Sequence, residues 1–340
     1  MKVGLESVVS FFPDTVIRRE DLAYLDRFIP PGQEAFFKGA DEFRRSSDDR
    51  AVENLAEGAA RKALAAAKRT PADIDYIIAA NIGGRRLLPM VGSYIHEKLG
   101  FPQEVPATNI QNVCASFVDG LNLAWCLVLS GRYHRVLVVT VTAVATKGWG
   151  VDQTSPMAKS FGDGAGAAVV SSGNLRCEFL AYDNRTIGEL YEHMYMDRLP
   201  RANPELNSML GLEGDETICL TMDDWVPGWI ERIGKTFAVE GIETALAKAG
   251  LSKADLDLVL IHHPMEMMHG PWIEGGVEAG IPREKWKELY HKIANCGNVD
   301  IPASLAEIAE TGEVRPGGVV ALFPPGLGGH TPCMIIRWLG

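Results

Sequence analysis

Apolar, β-branched runs alternate along the chain with longer stretches of helical periodicity. This alternation predicts an α/β protein rather than a protein whose helices and sheets form separate regions. Strands are predicted at 2–10, 76–80, 107–110, 136–142, 165–171, 177–182, 217–221, 258–261, 319–323 and 333–338. Helices are predicted between them, at 49–68, 90–99, 115–130, 227–249, 269–279 and 302–310.

Two short segments indicate an internal repeat. TPADIDYII in the first half and LSKADLDLVLI in the second each follow an alanine-rich helix, and in both an Ala-Asp-Ile/Leu-Asp step leads into a buried strand. We therefore expect two related halves, residues 1–172 and residues 173–340. Segment 184–216 is rich in Met, Tyr, Pro and Asn without periodicity, which is typical of a long insertion that serves as a lid or binding loop.

Composition and charge narrow the class of protein. The 340 residues are 46% hydrophobic and 23% charged, which excludes disordered and fibrous proteins. A formal net charge of -11 argues against binding to nucleic acid or to an anionic membrane. The sequence has no apolar run near the ~18 residues that span a bilayer, and Glu6 and Asp14 interrupt the region where a signal peptide would be apolar. We expect a cytoplasmic protein of enzyme size.

Cysteine usage points to thiol chemistry. Six cysteines are scattered without CxxC spacing, so neither a disulfide scaffold nor a zinc ribbon is indicated. Cys114 follows the predicted strand 107–110 and begins an apolar helix that ends at Ser130, before Gly131. Amides at a helix N-terminus favour a thiolate, which makes Cys114 a candidate nucleophile. From position alone, a buried structural cysteine is an equally good interpretation.

Two histidines and an asparagine are further candidates. His262 and His263 follow the predicted strand 258–261 at its carboxyl end, where ligand sites collect in α/β sheets. An imidazole there can act as a base or donate to a carbonyl, although for His263 a structural role is the better interpretation. Asn298 follows Gly297 in NCGNVDIPAS. Its amide can donate to an enolate oxygen, and a turn or helix-capping role is the alternative.

Two glycine-rich segments have different predicted roles. In PPGLGGH, at 324–330 between two strands, backbone amides can line an oxyanion hole, although tight strand connections also require glycine for geometric reasons. In FGDGAGAAVV, at 161–170, the glycines lead into a strand rather than from a strand into a helix. This segment fails the test for a dinucleotide-binding loop. We interpret it as glycine-permitted close packing.

These segments occur in the order found in the thiolase superfamily, and the chain most closely resembles ketoacyl-acyl-carrier-protein synthase III over nearly its whole length. The matching motifs are NVCASFVDGLNLA, FGDGAGAAVV, DLDLVLIHHP, CGN and the terminal GLGG. The resemblance implies a duplicated thiolase fold with five layers, αβαβα, and a homodimer. It implies acyl and malonyl thioesters of coenzyme A or acyl carrier protein as substrates, with no metal and no other cofactor.

The resemblance also implies roles for individual residues. Cys114 would accept the acyl group. His262, rather than His263, and Asn298 would stabilise the enolate that forms when a malonyl thioester loses carbon dioxide. The amide of Gly328 would join that of Cys114 in the oxyanion hole.

Two residues are assigned to substrate binding, and the chain departs from the family pattern at several points. Leu88, before Pro89, corresponds to a residue that reaches into the partner's acyl pocket, and His263 is assigned beside the substrate. The tryptophan that stacks on coenzyme A adenine is missing from 25–47, the docking basic residue is Met267, and the family's HQAN is HHPM. We therefore predict a specialised member, in polyketide or fatty-acid-like metabolism, with an unusual acyl donor or acceptor.

Two alternatives to a condensing enzyme are open. An acyltransferase would use the same acyl-cysteine to form an ester or amide, with His262 as general base. In such an enzyme an aspartate would be a natural replacement for the asparagine, so Asn298 favours condensation. A non-catalytic partner subunit is the other alternative, and Cys114 argues against it because such a subunit needs no nucleophile.

Overall fold

A computed structural model describes residues 1–145 and 148–340. It contains every strand and helix predicted above, with bounds shifted by a few residues, together with shorter elements that the pattern does not reveal. The strands are β1 (Gly4–Phe11), β2 (Val16–Arg18), β3 (Glu42–Arg44), β4 (Tyr76–Gly83), β5 (Ala107–Asn109), β6 (Arg135–Ala143), β7 (Gly164–Ser171), β8 (Cys177–Asp183), β9 (Met194–Pro200), β10 (Glu216–Met222), β11 (Leu256–Ile261), β12 (Trp286–Lys287), β13 (Val319–Phe323) and β14 (Cys333–Trp338). The helices are α1 (Ala51–Ala67), α2 (Gly92–Leu99), α3 (Ser116–Leu129), α4 (Asn207–Leu210), α5 (Trp225–Lys248), α6 (Glu266–Glu278), α7 (Tyr290–Ile293) and α8 (Asp300–Thr311).

The two halves of the chain share one strand order. Across the sheet the order is β5-β4-β6-β7-β1 in the first half and β12-β11-β13-β14-β8 in the second. In each half the first three strands are parallel, and each of the next two is antiparallel to the strand before it. The halves join edge to edge where Gly4 and Leu5 pair with Glu178 and Cys177. The fold is therefore duplicated, as the resemblance implies.

The helices form three layers, one on the outer face of each half of the sheet and one between the two halves. An apolar cluster joins α1 and α2 to the outer face of the first half, and another joins α5 and α6 to the outer face of the second. The central cluster contains Phe117 of α3 and Ile301 of α8, packed with Val138 of β6 and Leu260 of β11. Helices α3 and α8 thus lie between the two halves, which gives the layer order αβαβα. Within the described chain, the helices are too short or too polar to cross a bilayer.

The segment FGDGAGAAVV forms the start of β7 and its approach. A Cβ added at Gly166 would lie 2.3 Å from the ring of Pro302, and one added at Gly162 would lie 2.4 Å from the carbonyl oxygen of Ile293. Distances this short are incompatible with a side chain at either position. The interpretation of this segment as close packing is therefore confirmed.

The insertion at 184–216 contains a strand that its sequence does not reveal. This strand, β9, pairs with β10 in an antiparallel hairpin that is separate from the large sheet. The buried carboxylate of Asp152 anchors the hairpin just after the end of β9. It accepts a hydrogen bond from the amide of Ala202 at 2.7 Å and lies 3.6 Å from the guanidinium of Arg201. The insertion is therefore an ordered structure with a polar anchor.

Candidate active site

Cys114 lies in a tight turn between β5 and α3. A 3-10 turn spans Val113–Ala115, and α3 begins at Ser116. Val113 has a φ of 48°, a left-handed conformation that costs a residue other than glycine about 1–3 kcal/mol. The hydroxyl of Ser116 accepts the amide of Asn112 at 3.0 Å and helps to hold the turn. The thiol is partly exposed at the N-terminus of the helix, which is the predicted position; its role as nucleophile stays a prediction.

His262 follows β11 and faces the thiol. Its Nδ1 lies 2.6 Å from Oδ2 of Asp300, which leaves Nε2 as the ring nitrogen on the side of Cys114. Burial alone would lower the pKa of His262, but the thiolate charge of Cys114 and the hydrogen bonds with Asp300 and Cys114 outweigh burial and raise this pKa to about 10. Beside a charged Cys114 sulfur the cationic ring is therefore favoured, and it can stabilise negative charge on that sulfur or on an oxyanion.

Asn298 is buried in the turn before α8, and β6 fixes its orientation. The hydroxyl of Thr140 donates to the Asn298 backbone carbonyl at 2.9 Å, and the hydroxyl of Thr142 donates to Oδ1 at 3.1 Å. Because Oδ1 accepts from Thr142, Nδ2 is left as a donor, and it has no partner among the described residues. Leaving a buried donor unpaired costs about 1–3 kcal/mol. Such a donor is expected to bind a substrate group.

Asp300, the first residue of α8, is a site residue that sequence reasoning missed. Its carboxylate is completely buried. It accepts hydrogen bonds from His262 Nδ1, from the amide of His263 at 3.2 Å and from the amide of Cys296 at 2.9 Å. These donors compensate for burial of the charge. An aspartate at a helix start usually has a capping role, so its identity and position contain no signal that would single it out.

The other cysteines lack the surroundings of Cys114. Cys126 is exposed on the surface of α3. Burial is the main cause of a raised pKa at the remaining four, and a raised pKa makes a thiol a poor nucleophile at neutral pH. That pKa is about 12 for Cys177 and about 11 for Cys219, and it lies well above the ordinary value for Cys296 and Cys333.

A cavity of about 990 Å³, part of it open to solvent, lies beside Cys114 and His262. Its wall is mainly apolar, and much of it comes from the β9–β10 hairpin and from α5. Segment 184–216 therefore contributes to a binding cavity, which agrees with its interpretation as a binding loop. An apolar cavity wall beside Cys114 suits a substrate with a hydrophobic chain better than a polar substrate. The wall side chains from these two elements include Met194, Met196, Leu220, Met222, Val226 and Trp229.

The glycine-rich turn before β14 packs against the turn that contains the cysteine. A Cβ at Gly326 would lie 2.5 Å from the carbonyl oxygen of Asn112 and 3.0 Å from the amide nitrogen of Ala115. Gly326 and Gly329 line the cavity, whereas Gly328 is not among the lining residues of the described chain. The predicted role of Gly328 in an oxyanion hole therefore stays a prediction.

Leu88 and His263 do not line the cavity among the residues that the structure describes. Leu88 is 79% exposed after β4, so a contact with an acyl chain would have to be made in a second copy of the protein. His263 is wholly buried, and burial lowers its pKa. The ring of His263 packs beside those of His269 and Tyr290, with ring centroids 6.4 Å from each. Its burial agrees with a structural role, and substrate binding by His263 stays a prediction.

Taken together, these residues form a site suited to acyl chemistry. It contains a thiol at a helix N-terminus and an imidazole beside the thiol, both in the cavity lining. Asn298 follows the lining residue Gly297 and is not itself a lining residue, and its oriented amide donor has no partner among the described residues. A thiol with such a neighbour can accept an acyl group. Two fixed donors can stabilise the oxyanion of an enolate or of a tetrahedral intermediate.

Family models match the two parts of the chain that contain this site. Residues 108–188 match 3-oxoacyl-[acyl-carrier-protein (ACP)] synthase III, and residues 246–338 match the C-terminal part of the same enzyme. The two matches together span slightly more than half of the chain. The beta-ketoacyl-[acyl-carrier-protein] synthase III of Bacillus pumilus is 29% identical over 342 aligned residues, which cover 99% of each chain.

Solved structures share the fold over the same length. The 3-oxoacyl-[acyl-carrier-protein] synthase III of Aquifex aeolicus has a TM-score of 0.79 at 22% identity, with 99% of this chain and 100% of that chain covered. A priming beta-ketosynthase from a polyketide biosynthetic pathway has a TM-score of 0.81 at 20% identity, with 99% and 96% covered. The chain therefore belongs to the ketoacyl-acyl-carrier-protein synthase III family of condensing enzymes, within the thiolase superfamily.

Proposed function

We propose that this enzyme transfers an acyl group from a thioester to Cys114 and condenses it with a malonyl-type thioester. In the first step the sulfur of Cys114 forms a new thioester, and the thiol of the donor leaves with a proton. In the second step the bond to the malonyl carboxylate breaks and carbon dioxide departs. The enolate carbon then attacks the acyl carbonyl, Cys114 leaves as a thiolate, and a β-keto thioester is released.

The observation that carries this proposal is the buried Nδ2 of Asn298, which has no hydrogen-bond partner in the part of the chain that the structure describes. Transfer of an acyl group to a thiol requires donors near the acyl carbonyl only. Decarboxylation of a malonyl thioester creates a second oxyanion, on the malonyl thioester oxygen, which needs donors of its own. Asn298 Nδ2 and His262 Nε2 are two such donors, and the hydroxyl of Thr142 fixes the orientation of the first.

The surroundings support a hydrophobic acyl group in a reducing compartment. The cavity wall is formed largely by methionine, leucine and aromatic side chains, which suits an alkyl or aryl chain. All six cysteines are free thiols, which fits the cytoplasm. The donor is a coenzyme A or carrier-protein thioester in this proposal, and the product belongs to polyketide or fatty-acid-like metabolism.

Release of labelled carbon dioxide tests the proposal. A carboxyl-labelled malonyl thioester is supplied on coenzyme A and on carrier protein, together with a panel of acyl thioesters. We expect label release during turnover, and Asn298→Ala should slow release by about 10²- to 10³-fold while self-acylation persists. Asn54→Ala, at an exposed position on α1, is the matched control. Product formation without label release would contradict the proposal.

A second candidate function is favoured by Asp300. A carboxylate hydrogen-bonded to His262 Nδ1 completes a Cys-His-Asp arrangement, which in other enzymes activates a nucleophile and orients the base. The acyl group on Cys114 would then be attacked by an alcohol or amine, His262 would receive the proton, and an ester or amide would form. Mass spectrometry of the product distinguishes this reaction, because an ester or amide forms without loss of carbon dioxide.

We propose a homodimer as the working assembly. Leu87 and Leu88 are 54% and 79% exposed beside one another, and neighbouring exposed leucines favour a protein contact. In a dimer, Leu88 would be available to the acyl cavity of the other copy. Sedimentation equilibrium tests the proposal; a monomer at all concentrations would contradict it.

A further inference from the structure

We propose that Asp300 is a positioning residue that fixes His262 with Nε2 towards Cys114 and supplies a buried negative charge on the opposite side of the ring. The inference rests on the proposed role of Cys114 as nucleophile. It goes beyond that role because it adds a residue that lies behind the site and acts only through the histidine. The inference holds for condensation and for ester or amide formation alike.

The geometry carries the first part of the proposal. The Asp300 carboxylate accepts from the ring of His262 through Oδ2 at 2.6 Å. The same oxygen accepts the amide of His263 at 3.2 Å, and Oδ1 accepts the amide of Cys296 at 2.9 Å. One carboxylate therefore ties the end of β11 to the start of α8. Because these two segments contain His262 and Asn298, Asp300 fixes both donors of the site relative to each other.

The surrounding charges carry the second part. The titratable groups that act on His262 and its neighbours are Cys114, Asp300, His263, His269, Glu288 and His291. Burial lowers the pKa of His263, and burial together with His262, His263 and His291 lowers the pKa of His269 to about 3. These two rings are therefore neutral at neutral pH, although Nδ1 of His263 lies 3.4 Å from Asp300.

The negative charge of Asp300 is consequently matched by His262. A buried anion needs a cation or several donors nearby, and the hydrogen bond through Nδ1 favours the doubly protonated ring. The positive ring faces the sulfur of Cys114 and can stabilise negative charge that forms there. Removing the charge of Asp300 is therefore expected to weaken this support, so that alkylation at Cys114 requires a higher pH.

Alkylation of Cys114 by iodoacetamide as a function of pH tests this inference without any thioester substrate. The rate is followed at the peptide that contains Cys114, so that alkylation of Cys126 does not interfere. In Asp300→Asn the midpoint of the rate profile should move upward by about one pH unit or more, the shift expected for loss of a nearby opposite charge. Asp257→Asn is the matched control, because Asp257 on β11 accepts a backbone amide, that of Val319 at 2.9 Å; its midpoint should equal that of the unmodified protein.

An unchanged midpoint in Asp300→Asn, or an equal shift in Asp257→Asn, overturns the inference. If Asp300→Asn does not fold, the ¹⁵N chemical shifts of the His262 ring in the unmodified protein decide instead. A ring protonated on both nitrogens at neutral pH supports the inference, and a neutral ring overturns it. A clear midpoint shift combined with no carbon dioxide release would contradict the proposed condensation and leave this inference standing.

Discussion

The two halves of the molecule place different chemistry at equivalent positions. In the first half β5 leads into α3, and Cys114 lies at the start of that helix. In the second half β12 leads through α7 into α8, and Asn298 and Asp300 lie at the start of that helix. Because the halves share one strand order, α3 and α8 are equivalent helices of the central layer. Their N-termini meet at a single site.

The two helix starts differ in burial and in hydrogen bonding. The turn before α3 is short, has a left-handed valine and leaves its thiol partly exposed. The turn before α8 is buried, and among the described residues its Asn298 amide nitrogen has no hydrogen-bond partner. In the proposed function, Cys114 has to be reached by substrate, whereas the donors have to be held still. The comparison teaches that the repeat places the two groups at equivalent helix starts and that their different burial fits these proposed roles.

Removing the thiol should have the largest effect. Cys114→Ala is expected to abolish the acyl adduct after exposure to acyl thioesters without unfolding the protein, because the other buried thiols have a raised pKa. Intact-protein mass spectrometry measures the adduct, and Cys126→Ala, on the surface of α3, is the control. An adduct that persists on Cys126 or Cys296 in Cys114→Ala would place the nucleophile elsewhere.

The two adjacent histidines of the second half are expected to differ in their importance for turnover. His262→Ala should slow turnover by about 10²-fold or more, the size expected for loss of a positioned acid-base or donor group. His263→Ala should leave acylation and turnover largely intact, because that ring does not line the cavity. Steady-state kinetics of both variants, with thermal unfolding as a check on folding, decide the matter. The reverse order of effects would show that His263 is the catalytic ring.

A glycine of the second half supports the turn of the first. Gly326→Ala would force a Cβ to within 2.5 Å of the carbonyl oxygen of Asn112, so the turn that contains the cysteine must shift. A displacement near 1 Å at a reacting group can reduce the rate by about 10²-fold. The acylation rate measures the effect. Gly173→Ala, where the added Cβ meets no atom within 4 Å in the described chain, should acylate at the normal rate; equal losses in both variants would exclude this explanation.

The smallest effect is expected where β6 orients the amide. Thr142→Val removes the hydroxyl that donates to Asn298 Oδ1 and leaves the shape of the side chain nearly unchanged. Loss of one hydrogen bond of about 1 kcal/mol should slow carbon dioxide release by about fivefold, while self-acylation continues. A larger loss in self-acylation than in release would show that Thr142 serves Cys114 rather than Asn298.

Much of the fold follows from sequence patterns, because a long stretch with regular spacing of apolar residues is compatible with only one type of secondary structure. The strands of the large sheet except the two-residue β12 were predicted to within a few residues, as were the helices that cover the sheet. The repeat of TPADIDYII and LSKADLDLVLI fits the shared strand order. The hairpin was recognised only in part. The strand at 217–221 has a clear apolar period, but its partner β9 mixes Met, Tyr, Asp and Arg and is half exposed on both faces, so its pattern is weak.

Site residues could be predicted from the sequence where their residue type is uncommon at that position of a helix or strand. A cysteine at a helix start and paired histidines after a strand are unusual, and both predicted positions are correct. Asp300 was not predictable, because an aspartate at a helix start is common and its partner His262 is 38 positions away in sequence. His262 and His263 are both buried, and it needed the structure to show that His262 lines the cavity beside Cys114 whereas His263 does not.

Residues of the β9–β10 hairpin can change the range of substrates that fit the cavity without altering the rest of the molecule. It forms its own two-stranded sheet and is anchored near its tip by the Asp152 carboxylate. Its side chains shape one wall of the cavity, while the reacting groups belong to the large sheet and the central helices. Exchanges of Met194, Met196 or Leu220 should therefore change which acyl chains fit while the folding of the large sheet is retained. Divergence of acyl preference among descendants of such a protein would then be concentrated in this hairpin, which also makes it the natural place to begin engineering.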